Sequence, residues 1–272
     1  MLSPVITLTT DFGSEGWYVA SMKGVILGIN PRATIVDVNH SISPQNVREA
    51  ALCIAQIASY FPAGTIHVVV VDPGVGTERR LLCVPMRDQV FLAPDNGVLS
   101  WAARGVSVIT RVALSEPRFW LPTISSTFHG RDVVAPVAAH LSLGVPVHEL
   151  GTPVAQWQEL PWPEPAVQSG QLGGEVLAID HFGNLITNIE ESTVARLCDR
   201  RPIIVRYRDR DVPLARTYSD VPVAHCVALI GSTGLLEIAQ RNGSAADQLH
   251  GSVGDAVQLL VPRNQASNTA RS

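Results

Sequence analysis

Apolar and polar positions along the chain fall into two textures. In the first half, short apolar runs alternate with stretches whose apolar residues recur at helical spacing. Val5 to Thr9 and Thr34 to Val38 read as strands, while Tyr18 to Ile29 and Val47 to Tyr60 read as amphipathic helices, stopped by Asn30-Pro31 and Phe61-Pro62. Thr65 to Asp72 carries four consecutive valines, the pattern of a strand buried on both faces rather than one alternating between core and water. Leu81 to Pro85 and Gln89 to Ala93 resemble a hairpin across Met86-Arg87-Asp88, so some antiparallel pairing is expected in a mixed sheet, and Val133 to Leu143 reads as a further helix closed by Gly144. Strands alternating with helices predict an α/β domain whose central sheet is mostly parallel and covered on both faces.

The texture changes after Pro153. Pro161, Pro163 and Pro165, with two tryptophans, interrupt any helix or central strand between Gln156 and Gly170. Beyond them come short strand-like runs at close spacing: Gly174 to Ile179, Leu185 to Ile189, Ile203 to Tyr207, Val212 to Ala215, Val227 to Ile230 and Ala256 to Val261. One helical stretch, Glu190 to Leu197, lies among them. The expected organisation is therefore an α/β N-terminal domain over residues 1–155, a Pro-rich linker over 156–170, a smaller, mainly β, barrel-like C-terminal domain over 171–262 and a disordered tail over 263–272.

Composition narrows the functional classes. The chain has 272 residues, 46% hydrophobic and 16% charged, which suits a core-rich globular protein. A formal charge of −4 without a basic stripe argues against a nucleic-acid partner. The amino terminus enters its first strand without a charged leader, and no apolar run has the length of a membrane span, so the protein is expected to be cytoplasmic and free of membrane. Cys53, Cys83, Cys198 and Cys226 lie far apart with no CxxC pair, which suits reduced thiols and gives no zinc framework. The eight histidines form no HExxH or paired ligand spacing, so no metal is expected.

Candidate chemistry gathers where strands end. Asp72-Pro73-Gly74-Val75-Gly76-Thr77-Glu78-Arg79 follows the valine strand, placing Asp72 and Arg79 at the carboxyl edge of the sheet, where open α/β sheets bind ligands. Taken alone, the same residues could be a strand cap and a solvated loop charge. Asp11, in Thr9-Thr10-Asp11-Phe12-Gly13, reaches that edge from the first strand and could hold ribose hydroxyls; as an isolated aspartate it could equally be a turn residue or helix cap. No GxGxxG loop accompanies it, which points to a ribose without a pyrophosphate. His129 lies between Phe128 and Gly130 before an apolar helix, and could be structural or reactive. Pro94-Asp95-Asn96-Gly97 reads as turn chemistry. In the second half, Asp180 and Asn184 in a Gly-bent link, Tyr218, and the small-residue turn around Ser232 could together suit a nucleoside bearing an amino acid, although β-domain turns carry such residues in any case.

Taken together, TTDFG (Thr9 to Gly13), VVDPGVGTERR (Val70 to Arg80), APDNG (Ala93 to Gly97), FHGRD (Phe128 to Asp132), IDHFGNLITNI (Ile179 to Ile189), TYSD (Thr217 to Asp220) and GSTGLLEIA (Gly231 to Ala239) resemble the S-adenosylmethionine (SAM) hydroxide adenosyltransferases. These are adenosine-forming SAM hydrolases, related to the SAM-dependent fluorinase and chlorinase. The resemblance runs in order from Val5 to Val261 and implies several things at once. Asp72, Arg79 and His129 would position and activate water, and Asp11 would hold the ribose. Asp180 and Ser232 would meet the methionine ammonium and carboxylate, and Asn184 and Tyr218 the adenine. SAM would be substrate rather than cofactor, no cofactor would be needed, and the active assembly would be a homotrimer whose pockets lie between subunits. The chain departs from the pattern at Gly231 and Thr233, where relatives often carry Asn before the serine. The resemblance leaves two rivals: a halide adenosyltransferase, disfavoured because halogenating relatives carry an aromatic residue in place of the Asp72 carboxylate, and a non-catalytic SAM or adenosine sensor, which has no need of the Asp-Arg-His set.

Overall fold

A computed structural model describes residues 5–168, 171–198 and 203–260. The chain divides into two compact units, residues 1–161 and 162–272. In the first, seven strands form one sheet: β1 (Val5–Thr10), β2 (Thr34–Asn39), β3 (Ile66–Val70), β4 (Leu81–Met86), β5 (Gln89–Pro94), β6 (Val112–Leu114) and β7 (Gly151–Pro153), in the order β2-β1-β3-β5-β4-β6-β7. The helices are α1 (Tyr18–Ile29), α2 (Val47–Ile57) and α3 (Ala135–Ser142).

The valine run explains the layering. Val68 and Val70 pack with Ile6, Leu8, Met22 and Ile26 on the α1 and α3 side, while Val69 and Val71 pack with Ala50 and Ile54 of α2 on the other. All of β3 is buried, as a strand without alternation requires. Burying two valines on each face contributes several kcal/mol, at about 1.5–3 kcal/mol per large aliphatic side chain.

The sheet is mixed, as the hairpin predicts, but its antiparallel half is as large as its parallel half, which corrects the expectation of a mostly parallel sheet. β1 pairs in parallel with β2 and β3, and β3 with β5, but β4 runs antiparallel to both β5 and β6, and β6 to β7. The cause is local. Arg87 and Asp88 both take positive φ, 54° and 58°, the two-residue hairpin turn whose twist matches its strands. The turn folds β5 back into the place beside β3, so the parallel half ends there.

His67 sits inside this sheet with no exposed surface, bonded to Thr7 Oγ1 at 2.8 Å through Nδ1 and stacked on Phe91 at 4.7 Å. Burial lowers its pKa to about 4, so the fold accommodates the neutral ring. That stability is present in full above the ordinary histidine value of about 6.5 and is lost as pH falls from there toward 4, amounting to roughly 3 kcal/mol. Denaturant titrations of wild type and His67→Gln across this window should therefore converge as pH falls. His129 and His140 are shifted in the same direction, so the difference between the two proteins isolates His67. Parallel acid losses would assign the proton uptake to other groups.

The second unit contains β8 (Ala166–Gln168), β9 (Gln171–Ile179), β10 (Leu185–Glu190), β11 (Ile204–Tyr207), β12 (Arg210–Pro213), β13 (Cys226–Ile230), β14 (Leu235–Gln240) and β15 (Ala256–Leu260), with α4 (Glu191–Cys198) and α5 (Ala245–Leu249). Its order is β12-β11-β15-β9-β10-β14-β13, with β8 on β9, and every pairing is antiparallel. A bridge between Leu214 and Ala228, with Ala215 N–H donating to the Ala228 carbonyl at 2.9 Å, joins the two ends into a nearly closed barrel around Val176, Leu185, Tyr207, Ile238 and Val257. Closure of this kind removes exposed sheet edges.

The proline-rich segment is divided between the units. Arg80 Nη2 donates to the Gln156 carbonyl at 2.8 Å and Leu160 N–H to Ser100 Oγ at 2.8 Å within the first, whereas Asn188 Nδ2 donates to the Pro163 carbonyl within the second. Cys53, Cys83 and Cys226 are free thiols, and burial pushes Cys83 up to about 12. No helix among the described residues is long and apolar enough to cross a membrane. The expected disordered tail, 263–272, lies outside the described residues.

Candidate functional site

Asp72 and Arg79 come together because the chain between them crosses the end of β5. β3 ends at Val70 and β4 begins at Leu81, with β5 between them in the sheet. The intervening loop is fastened from below by the APDNG turn. Asn96 Nδ2 donates to the Val71 carbonyl at 2.9 Å, Asp95 N–H donates to the Arg80 carbonyl at 2.9 Å, and Arg80 Nε donates to the buried Asp95 carboxylate at 2.9 Å. Asp95 and Asn96 thus do more than turn the chain: they hold the loop that carries the acid and the guanidinium.

Arg79 Nε donates to Asp72 Oδ1 and Oδ2 at 3.1 and 2.9 Å, and Nη2 to Oδ2 at 2.5 Å. The same Nη2 lies 2.9 Å from His129 Nδ1. A guanidinium has only donors, so Nδ1 accepts and the neutral ring carries its proton on Nε2. Burial lowers the His129 pKa and the Arg79 charge adds to that, against smaller opposing effects of Asp72 and Asp132. The three groups therefore combine a carboxylate able to accept a proton, a cation that balances it, and a neutral imidazole with one N–H to donate. Side-chain exposures of 7% for Asp72 and 11% for Arg79 leave little water to weaken the pair.

His129 opens a π turn, Gly130–Val134, that leads into α3. Gly130 lets this turn press on β3: a Cβ there would stand 3.0 Å from Val70 Cγ1 and 3.6 Å from Met22 Sδ. Fully buried Asp132 accepts from Arg131 Nε at 2.6 Å and from Ser125 N–H at 2.7 Å, fixing the chain that approaches His129. Arg79 and His129 line a cavity of about 260 Å³ with Thr77, Trp120 and Ile124.

Asp11 follows β1, whose Thr10 is in register with Val70, so Asp11 and Asp72 emerge from the same edge of neighbouring parallel strands. Its Oδ2 accepts from Gln45 N–H at 2.7 Å, and the residue lines a second cavity of about 540 Å³ with Gly13, His40, Ser41 and Ser43. A side-chain relay supports this rim: Lys23 Nζ donates to Asp37, Asp37 contacts His40 Nε2 at 2.9 Å, and His40 Nδ1 contacts Thr10 Oγ1 at 2.9 Å.

In the second unit, Asn184 and Tyr218 line one cavity of about 520 Å³ with Phe182, Gln240, Asn242 and Gly243. Phe182, the 73% exposed aromatic of the Gly-bent link, lines this cavity together with Tyr218. Asp180 organises the loop from within: Oδ1 accepts from the N–H groups of Phe182 and Asn184 at 2.9 and 2.8 Å, and Oδ2 from Asn184 Nδ2 at 2.8 Å. In TYSD, Thr217 and Asp220 form a capping box around a single 3₁₀ turn, which leaves Tyr218 free to line the cavity. Ser232 is exposed at the turn between β13 and β14. Buried Glu237 on β14 accepts from Tyr218 Oη at 2.5 Å and was also missed, because it stands inside a run read only as a motif.

Residues 6–151 match the family model for the SAM hydroxide adenosyltransferase N-terminal domain, and residues 174–258 that for its C-terminal domain. The chain is similar to the (R)-S-adenosyl-L-methionine hydrolase of Salinispora arenicola, with 38% identity over 95% of this chain and 98% of that protein. It is 29% identical to a fluorinase of an Actinoplanes species, over 88% and 91% of the two chains. A conserved protein of Thermotoga maritima, solved by crystallography, superimposes with a TM-score of 0.88 at 35% identity, covering 93% of this chain and 99% of that one.

Proposed function

Because the chain belongs to the SAM hydroxide adenosyltransferase family, we propose that it hydrolyses S-adenosyl-L-methionine at ribose C5′, giving adenosine and L-methionine. The observation that carries this reading is the single Arg79 guanidinium bonded to both Asp72 and His129. The leaving group is a sulfonium that departs as a neutral thioether, so the reaction needs neither an acid for the leaving group nor a metal or cofactor. It needs an oxygen nucleophile in line behind C5′, and positioning is most of that task. Asp72 accepts a proton from the water, the Nε2–H of His129 donates to its oxygen, and Arg79 holds both groups while balancing the carboxylate charge. A hydroxide-like oxygen attacking a sulfonium loses charge separation on the way to the transition state, which a water-poor pocket favours.

On this reading Asp11 holds the ribose hydroxyls, Asn184 and Tyr218 meet the adenine, and Asp180 and Ser232 meet the methionine ammonium and carboxylate. Each pocket is completed by a neighbouring subunit, and the assembly is a homotrimer that takes no nucleic-acid partner. We place the enzyme in the cytoplasm, where free thiols such as Cys53 and Cys83 persist. The fluorinase likeness raises the halide reaction as a second reading, but a carboxylate at the nucleophile repels an anion.

The test is to incubate the purified protein with SAM in ¹⁸O-labelled water, with and without halide, and to analyse the nucleosides by chromatography and mass. Adenosine labelled at its 5′ oxygen is expected. A 5′-halonucleoside would establish the rival, and intact SAM would leave a binding protein. The Salinispora relative's name specifies the R sulfonium, so the R epimer is the one expected to be consumed.

A further inference from the structure

The strand β14 brings Glu237 under the cavity of the second unit, where a free charge would be costly. The residue is 5% exposed, and burial is the largest influence on it, raising its pKa, with the nearby Asp180 carboxylate adding to the rise. A buried carboxylate needs partners that repay its lost hydration. One is the phenol of Tyr218, whose own pKa is pushed up to about 12 by burial and by Glu237, so it remains a donor. On the other side, Glu237 fills the space that a side chain at residue 231 would take: a Cβ on Gly231 would stand 2.2 Å from Oε2 and 2.9 Å from Cδ. The turn itself is closed by Gly231 N–H to the Leu235 carbonyl at 2.9 Å and Gly234 N–H to the Gly231 carbonyl at 3.0 Å, and it carries Ser232.

We propose that Glu237 is a positioning residue that couples the aromatic wall to the turn bearing Ser232, so that both ends of the ligand are read by one rigid unit. The inference rests on the hydrolase reading and extends it to a residue with no contact to the reacting atoms. One Glu237 oxygen holds Tyr218 by its hydroxyl, which fixes the ring plane along the 520 Å³ cavity. The remainder of the carboxylate abuts Gly231, which explains why that position has no side chain. A charge-assisted bond of this kind gives more orientation than a neutral one.

The test separates binding from chemistry. Steady-state kinetics on Glu237→Leu should show KM for SAM raised roughly ten- to a hundred-fold, the scale of a lost hydrogen bond to a charged group, with kcat close to wild type. Glu237→Gln keeps an acceptor and should recover most of the loss. Tyr218→Phe should resemble Glu237→Leu, and the double variant should be no worse than either single one, because both break the same link. Gly231→Ala should raise KM by pushing the carboxylate off Tyr218, and it provides the measurement if Glu237→Leu does not fold. An unchanged KM in Glu237→Leu or Gly231→Ala, a loss carried by kcat, or additive effects in the double variant would each overturn the coupling. Wild type assayed in parallel keeps the two ideas distinct. No adenosine from wild type defeats the hydrolase reading, whereas an active wild type beside an unaffected Glu237→Leu defeats only the positioning role.

Discussion

Replacing Asp72 with alanine is expected to reduce adenosine formation by on the order of a hundred- to ten-thousand-fold, the range over which a positioned base typically acts. Two losses combine in that variant. The acceptor for the water proton disappears, and Arg79, now without its carboxylate, no longer holds His129 in a fixed place, since the same Nη2 served both. Affinity for SAM should change little, because on the proposed reading the carboxylate serves the nucleophile and Asp11, Asn184 and Tyr218 serve the ligand. Single-turnover rates and calorimetric titration measure the two quantities separately. Near-native turnover would remove Asp72 from the mechanism, and a large loss of affinity at unchanged turnover would move it to the substrate.

Activity is also expected from a mixture of two inactive proteins. If each pocket pairs the first unit of one chain with the second unit of its neighbour, Asp72→Ala chains and Asn184→Ala chains each spoil a different half. After subunit exchange, a pocket can draw its intact first unit from one and its intact second unit from the other. The mixture should then recover a substantial fraction of wild-type turnover from a background close to zero. Exchange demonstrated by mass without recovered activity, or a fully active monomer by light scattering, would place the whole pocket within one chain.

How much of this could be read in the chain depends on the range of the interaction that decides each feature. The strand through Val68 to Val70 was legible because burial on both faces leaves a run without alternation, and α1 because Asn30-Pro31 ends its periodicity. The sheet was legible in part: the β4–β5 hairpin across Arg87 and Asp88 announces one antiparallel pair, whereas the antiparallel pairing of β4 with β6 and of β6 with β7 joins distant segments and leaves no local pattern. β14 was absent from the predicted strands because Glu237 breaks the apolar run of Leu235 to Ala239, and its burial depends on Tyr218 nineteen residues away. Asp95 and Asn96 looked like turn residues because their partners, Arg80 and Val71, lie on the other side of the crossing. Asp72, Arg79 and His129 stood out through their glycine-rich surroundings, but the order in which they bond, with the guanidinium in the middle, is a property of the folded edge alone.

The crossing over β5 has a consequence for how the site tolerates change. Its two ends leave from strands two places apart, about 9.5 Å at ordinary strand spacing, and those strands belong to the parallel and the antiparallel halves of the sheet. The distance between acid and guanidinium is thus gauged by the sheet's own twist at that seam, as a span is gauged by its abutments. At the exposed crown of the loop, Thr77 ties the chain together by donating to the Gly74 carbonyl at 2.7 Å and accepting from Arg79 N–H at 3.3 Å. Core substitutions beneath β5 that splay the seam would draw Asp72 and Arg79 apart and silence the protein without replacing either residue.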